Sequence, residues 1–190
     1  MILKYKKIYG EHNDKVVITK QNLGTLFRDN KQIDKAIEIF EQLIEDIKNF
    51  KTDVKPNVMA NIFNSVSGCY RINKNFEDAI DCLNKAFNLI KENYGEKNLP
   101  IATIFNNRGM NYKDQGKFQE ALESYQKALE IRKELLPEDH PDIMAVTHNI
   151  GQLHFDFGDN ENAQKYFSAN IEIMNKKQNA QKEKEKNQEN

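Results

Sequence analysis

The sequence predicts an all-α fold, a solenoid of stacked helix pairs, and three observations carry that prediction. A block beginning at Asn22 (NLGTLFRDNKQIDKAIEIFEQLIE) recurs from Ser65 (SVSGCYRINKNFEDAIDCLNKAFN), from Asn107 (NRGMNYKDQGKFQEALESYQKALE) and from Asn149 (NIGQLHFDFGDNENAQKYFSANIE), at steps of 42 or 43 residues. Within each block apolar residues fall at three- and four-residue spacing, the period of an amphipathic helix. Between two such runs stands a short polar break, RDNK, RINK, KDQG or DFGD, so each unit reads as helix, turn, helix. Such a unit buries little by itself, and stacking against its neighbours supplies a continuous core.

The elements follow in chain order. Residues 1–15 hold the stretch KYKKIYGEHND, whose Tyr9-Gly10-Glu11 returns as Tyr94-Gly95-Glu96. ILKYKKIYGEHND (2–14) occupies the place of LEIRKELLPEDHP (129–141), the last turns of a second helix and its linker. Two readings stand: a natural N-terminal cap, or a segment of a longer array. The cap is preferred, because the remnant begins at Met1 and terminal repeats are expected to be atypical. The first repeat, 16–56, carries Gly24, Phe27, Ala36 and Phe40. The second, 57–99, has Ser67, Tyr70, Ala79 and Leu83 at the same places. The third, 100–140, has Gly109, Tyr112, Ala121 and Tyr125, and the fourth, 141–177, Gly151, His154, Ala163 and Phe167. Two antiparallel helices approach closely only where one lacks bulk and the other fills the gap, so the alanine is expected to face the first-helix ring. In the fourth repeat Asn160, Gln164 and Asn170 replace Phe118, Leu122 and Ala128 of the third, as the outer face of an end cap requires. Residues 178–190 contain one small apolar residue, Ala180, and are expected to be a disordered polar tail.

Composition excludes several function classes. With 28 Lys+Arg against 29 Asp+Glu among 190 residues, the chain has no net field for a phosphate backbone, so nucleic acid is not an expected partner. No apolar run approaches the roughly 18 residues of a membrane span. Ile2 and Leu3 alone precede Lys4, Lys6 and Lys7, short of a signal-peptide core, and the expected compartment is the cytoplasm. Cys69 and Cys82 lack metal-ligand spacing and read as reduced thiols. Gly109 and Gly116-Lys117 are too far apart for a phosphate loop, and Phe118 stands where that loop needs Ser or Thr. His140, His148 and His154 do not share an i, i+4 face. His154 is expected as a core histidine, and His140, before Pro141, as a contact to the next helix start. No Ser/His/Asp or Cys/His set falls on converging loops. The expectation is a protein that is not an enzyme and uses no cofactor or metal.

The pattern of small residue, ring, alanine and ring, over roughly residues 16–175, resembles the tetratricopeptide repeat. That repeat usually runs 34 residues; the 42-residue period here, with linkers PEDHPDIMAV (137–146) and YGEKNLPIAT (94–103), is similar to the kinesin light chain subfamily. Eight further residues lengthen each helix of the pair by about one turn. The resemblance implies a right-handed α-solenoid whose concave groove is lined by the first helices. It places Asn22, Ser65, Asn107 and Asn149 on that groove, and one position earlier Gln21, Asn64, Asn106 and His148. An amide both donates to and accepts from an extended peptide backbone. A second row, Arg28, Arg71 and Lys113 with Phe155 completing it, could attract carboxylates, while Asp29 and Asp114 are placed to neutralise it. The expected function is a non-catalytic scaffold that binds a protein or an extended peptide, an acidic one if the charge row is used. The alternative is a fixed structural or adaptor subunit of a larger cytoskeletal, ciliary or motor-associated assembly, held through outer or end faces. A homo-oligomer is compatible with the pattern, which does not call for one.

Overall fold

A computed structural model describes residues 14–49 and 54–188 of the chain, and among them the regular structure is entirely α-helical. The expected N-terminal cap therefore lies outside the described residues up to position 13. The chain divides into two units, Met1–Glu96 and Lys97–Asn190. The first holds α1 (Asp14–Asp29), α2 (Ile33–Asn49), α3 (Pro56–Ile72) and α4 (Phe76–Tyr94). The second holds α5 (Leu99–Asp114), α6 (Phe118–Leu135), α7 (Pro141–Asp156) and α8 (Asn160–Gln188). Within each unit every helix packs on the next in sequence, and first helix meets first helix as well, α1 with α3 and α5 with α7.

The repeated small residues set how closely the helices of a pair approach. Ala36, Ala79, Ala121 and Ala163 are all buried. The tightest fit, however, is not the expected one between alanine and first-helix ring. Phe27, Tyr70 and Tyr112 are only partly buried, whereas Phe40, Leu83 and Tyr125 on the second helices are sealed from solvent. A Cβ at Gly24 would lie 2.7 Å from Phe40 Cζ, one at Gly109 2.6 Å from Tyr125 Cδ1, and one at Gly151 2.8 Å from Phe167 Cε1. The glycine of the first helix is thus the socket for the second-helix ring. In the second repeat Ser67 and Leu83 take the two places, and the Ser67 hydroxyl donates to Asn64 O at 2.7 Å. A smaller side chain opposite leaves room for the Ser Cβ.

All four intra-repeat turns share one backbone device. Lys31, Lys74, Gly116 and Gly158 adopt left-handed φ of 60°, 63°, 75° and 82°. The next residue then donates back to the carbonyl of the ring residue: Gln32 to Phe27, Asn75 to Tyr70, Lys117 to Tyr112 and Asp159 to His154, at 2.8–2.9 Å. This is the Schellman closure, in which a left-handed residue lets the helix end satisfy its own carbonyls.

The inter-repeat linkers end in helix starts that proline favours, because its missing N–H falls where no acceptor exists. Pro56 opens α3, Pro100 lies in the first turn of α5 and Pro141 opens α7. Asn98 caps α5 by accepting from Ile101 N at 3.0 Å. His140, as expected, contacts the following helix: its Nδ1 accepts from Asp142 N at 3.1 Å.

His154 is a buried core histidine. Its ring stacks on Tyr166 at 5.6 Å and meets Phe118 edge-on at 5.4 Å, while Nδ1 lies 3.0 Å from Asp159 Oδ2. Asp159 also accepts from the side chain and backbone of Asn162, and these bonds, then His154, hold its carboxyl below the usual range. At the other end α8 runs on as helix to Gln188, into the segment expected as a tail, and Ile171 and Met174 are exposed on it. Asn170, read as a polar end-cap residue, donates to Met144 O at 2.9 Å.

Candidate partner-binding faces on the first helices

The amides singled out in the sequence lie on the first helices, Asn22 on α1, Asn64 on α3, Asn106 and Asn107 on α5 and Asn149 on α7. In the second unit the structure joins two of them. Asn149 Nδ2 of α7 donates to Asn106 Oδ1 of α5 at 2.9 Å, one repeat apart, and Asn106 Nδ2 lies 3.4 Å from Asn107 Oδ1. All three are half-buried, and the bond engages one of the two N–H donors of Asn149. His148 is exposed, its ring 5.3 Å from that of Phe167. In the first unit Asn22 is exposed on α1, while Gln21, Asn64 and Ser65 are half-buried.

The charge row is already engaged. Arg28 donates through Nε and Nη2 to Asp29 Oδ1 of its own helix, at 3.1 and 2.9 Å. Lys113 reaches across to Asp156 of α7 at 3.2 Å, both side chains being partly screened from solvent. Arg71 is half-buried near the end of α3, and Phe155 completes the row with more than half its surface exposed. A carboxylate ligand would compete with Asp29 for Arg28 and with Asp156 for Lys113.

Two polar residues in apolar registers escaped the sequence reading. Asn111 stands where the second and fourth repeats place Cys69 and Leu153, and all three are fully buried. Its Oδ1 accepts from Gln115 Nε2 at 2.6 Å, and its Nδ2 has no hydrogen bond. Arg132 takes the register of Ile90 and is buried, with its guanidinium donating to Asp142 O at 2.8 Å and so tying the end of α6 to the start of α7. Burial lowers its pKa, as desolvation disfavours the cation. The signal for both was a polar side chain interrupting an apolar column of the repeat alignment. Among the described residues no group of three or more His, Cys, Asp or Glu could hold a metal, and no helix is long and apolar enough to cross a membrane.

Comparison with known proteins gives this geometry a context. A family model described as tetratricopeptide repeat matches residues 58–134 and 100–176, and a second of the same description matches 19–45. No curated protein sequence matches the chain. Among solved structures, BtubC (BKLC) from P. vanneervenii superposes with a TM-score of 0.74 at 20% identity, covering 87% of this chain and 65% of its own, so the chain spans less than two thirds of that protein. A putative kinesin light chain with nearly identical TPR-like repeats from Podosopora anserina gives 0.70 at 18% identity, covering 93% of this chain and 83% of that one. A Rap protein complexed with Competence and Sporulation Factor gives 0.69 at 18% identity, covering 83% of this chain and 42% of its own. At these identities the likeness is one of fold.

Proposed function

The chain belongs to the tetratricopeptide repeat family, whose members serve as protein-interaction scaffolds, and on that premise we propose that it is a non-catalytic scaffold holding a protein or extended peptide against its first helices. The observation that carries the reading is the amide pair Asn106–Asn149, set one repeat apart on neighbouring first helices. A peptide main chain presents alternating donors and acceptors, and amides at fixed spacing, with one N–H donor of Asn149 outside the pair's own bond, match that pattern without demanding a particular side chain. The Rap protein solved with Competence and Sporulation Factor supports a ligand-holding role for this fold. The pairing of Arg28 with Asp29 and of Lys113 with Asp156 argues that charge contributes little to the choice of partner. We place the protein in the cytoplasm, a reading that the buried free thiols Cys69 and Cys82 support.

The test is a displayed peptide library panned on the 190-residue chain and on the Asn106→Ala, Asn149→Ala double variant. Loss of the amides is expected to weaken binding at every salt concentration. Lys113→Ala is expected to alter affinity by at most about 0.2–1 kcal/mol and only at low ionic strength, as for other partly exposed charge pairs. Equal binding by wild type and the double variant refutes the role of the amide face.

A second reading, the fixed assembly subunit, has one observation in its favour. Phe157 is exposed just beyond α7 with its ring 5.1 Å from that of Phe118, an aromatic pair of the kind that anchors protein interfaces. On that reading Phe157→Ser abolishes co-purification of partners while the amide variant keeps it.

A further inference from the structure

In the first unit α2, α3 and α4 enclose a groove of about 310 Å³ whose floor is aromatic and apolar and whose rim is charged. Phe63, Val66 and Tyr70 of α3 and Ile44 of α2 supply the floor, all of them buried or half-buried. That volume stands at the lower end of ligand pockets, about 300–1,000 Å³, and suits one long side chain.

The third repeat shows what a ring in this register holds. Phe105 stands 42 positions after Phe63, and over its ring lie the Arg108 guanidinium, 5.4 Å from the centroid, and Lys127 Nζ at 5.5 Å. In the second repeat the same two places belong to Val66, which carries no charge, and to Lys85, whose Nζ is held by Asp81 at 2.6 Å. Neither place supplies Phe63 with an uncommitted cation.

The rim favours a cation from outside. Four carboxylates line it, Glu41 and Glu45 from α2 and Asp78 and Asp81 from α4, against the two ammonium groups of Lys48 and Lys85. Glu41 accepts from the Tyr70 hydroxyl, and Asp81 is engaged with Lys85. Glu45 and Asp78 are exposed, stand on opposite walls and form no ion pair among the described residues.

We propose that this groove docks an arginine side chain of a protein partner, with the guanidinium over Phe63 and within reach of Glu45 and Asp78. A guanidinium is planar, stacks on an aromatic face and presents its fork of donors to carboxylates, whereas an ammonium is a compact, strongly hydrated point charge. The second helices form the walls here, so this is a docking place apart from the amides of Asn106 and Asn149 and does not depend on them.

Titration of the methyl-labelled full chain with the blocked peptide acetyl-Ala-Arg-Ala-amide, and with the same peptide carrying neutral citrulline for arginine, tests the assignment. The arginine peptide is expected to shift the methyls of Ile44 and Val66 and to leave Ile104 and Leu153 in place, and the citrulline peptide to shift none of them. Glu45→Gln with Asp78→Asn, both at exposed positions, is expected to weaken binding by about 2- to 30-fold, the span for two partly exposed charge pairs. Asn106→Ala with Asn149→Ala is expected to leave it unchanged. Equal shifts from the two peptides, unmoved groove methyls or unaltered affinity in the Glu45, Asp78 variant overturns the proposal. So does loss of binding in the amide variant, which would place the peptide on the first helices, and so do groove methyls that shift with protein concentration alone, which would give the groove to a second copy of the chain.

Discussion

Gly109→Ala and Gly68→Ala make the same chemical change with opposite expected signs. In a helix interior, alanine is favoured over glycine by about 0.8–1 kcal/mol, since glycine surrenders more backbone freedom on folding. At Gly68 a Cβ meets no atom within 4 Å, so that preference is expected in full. At Gly109 the new Cβ would stand 2.6 Å from Cδ1 and Cε1 of Tyr125, a ring 1% exposed and enclosed by Ala121, Ala128, Val146 and Ile150. The ring cannot move aside without displacing that cluster, and overpacking of a close-packed core costs about 1–3 kcal/mol. The balance at Gly109 is a loss of up to about 2 kcal/mol, which leaves Gly109→Ala about 1–3 kcal/mol below Gly68→Ala, and each kcal/mol lowers the Tm of a chain of this size by about 2–4 °C. Thermal and urea unfolding followed by circular dichroism read both variants on one scale. The second repeat supplies its own control: Gly109→Ser with Tyr125→Leu copies the Ser67–Leu83 pair and should recover much of the loss. A Gly109→Ala as stabilising as Gly68→Ala, or a destabilising Gly68→Ala, refutes the account of the glycine as a socket.

Three further outcomes are expected. Lys74→Gly should raise stability by up to about 1 kcal/mol, because φ of 63° costs a side-chain-bearing residue about 1–2 kcal/mol and glycine returns part of that through unfolded-state freedom; a fall in the urea midpoint would contradict this. Burial pushes the thiols of Cys69 and Cys82 up to about 11, so neither should react with a thiol reagent at pH 8 in the native chain and both should react in denaturant; native labelling of either would show that its site opens. Asp159 has its carboxyl pKa depressed in the folded state, so its contribution is complete above the ordinary carboxylate range, near pH 4, and is lost as pH falls through the lowered value. Asp159→Asn should therefore flatten the acid limb of the stability curve, and an unchanged acid limb would remove this residue from the cause.

Where the covalent pattern repeats, the sequence alone was decisive. Four copies of small residue, ring, alanine and ring determine the helix pairs and the family, because only one periodic amphipathic arrangement buries all those columns together. His154 in the core and His140 at a helix start were readable for the same reason: a residue's place in the repeat states its neighbours. Tertiary structure decided what depends on volume and on partners distant in sequence. Spacing could not say whether the alanine or the glycine receives the ring. That choice follows from where the helix axes approach, and it fell to Gly24, Gly109 and Gly151. Nor could it say that Lys113 would meet Asp156 and Asn106 would meet Asn149, since each pair lies on different helices about one repeat apart and forms only when the pairs stack. The exposed Leu26 is the clearest case. The pattern marks it as a core position, and only the structure shows that none of the described helices covers it, because burial belongs to the neighbour that packs against a residue as much as to the residue itself.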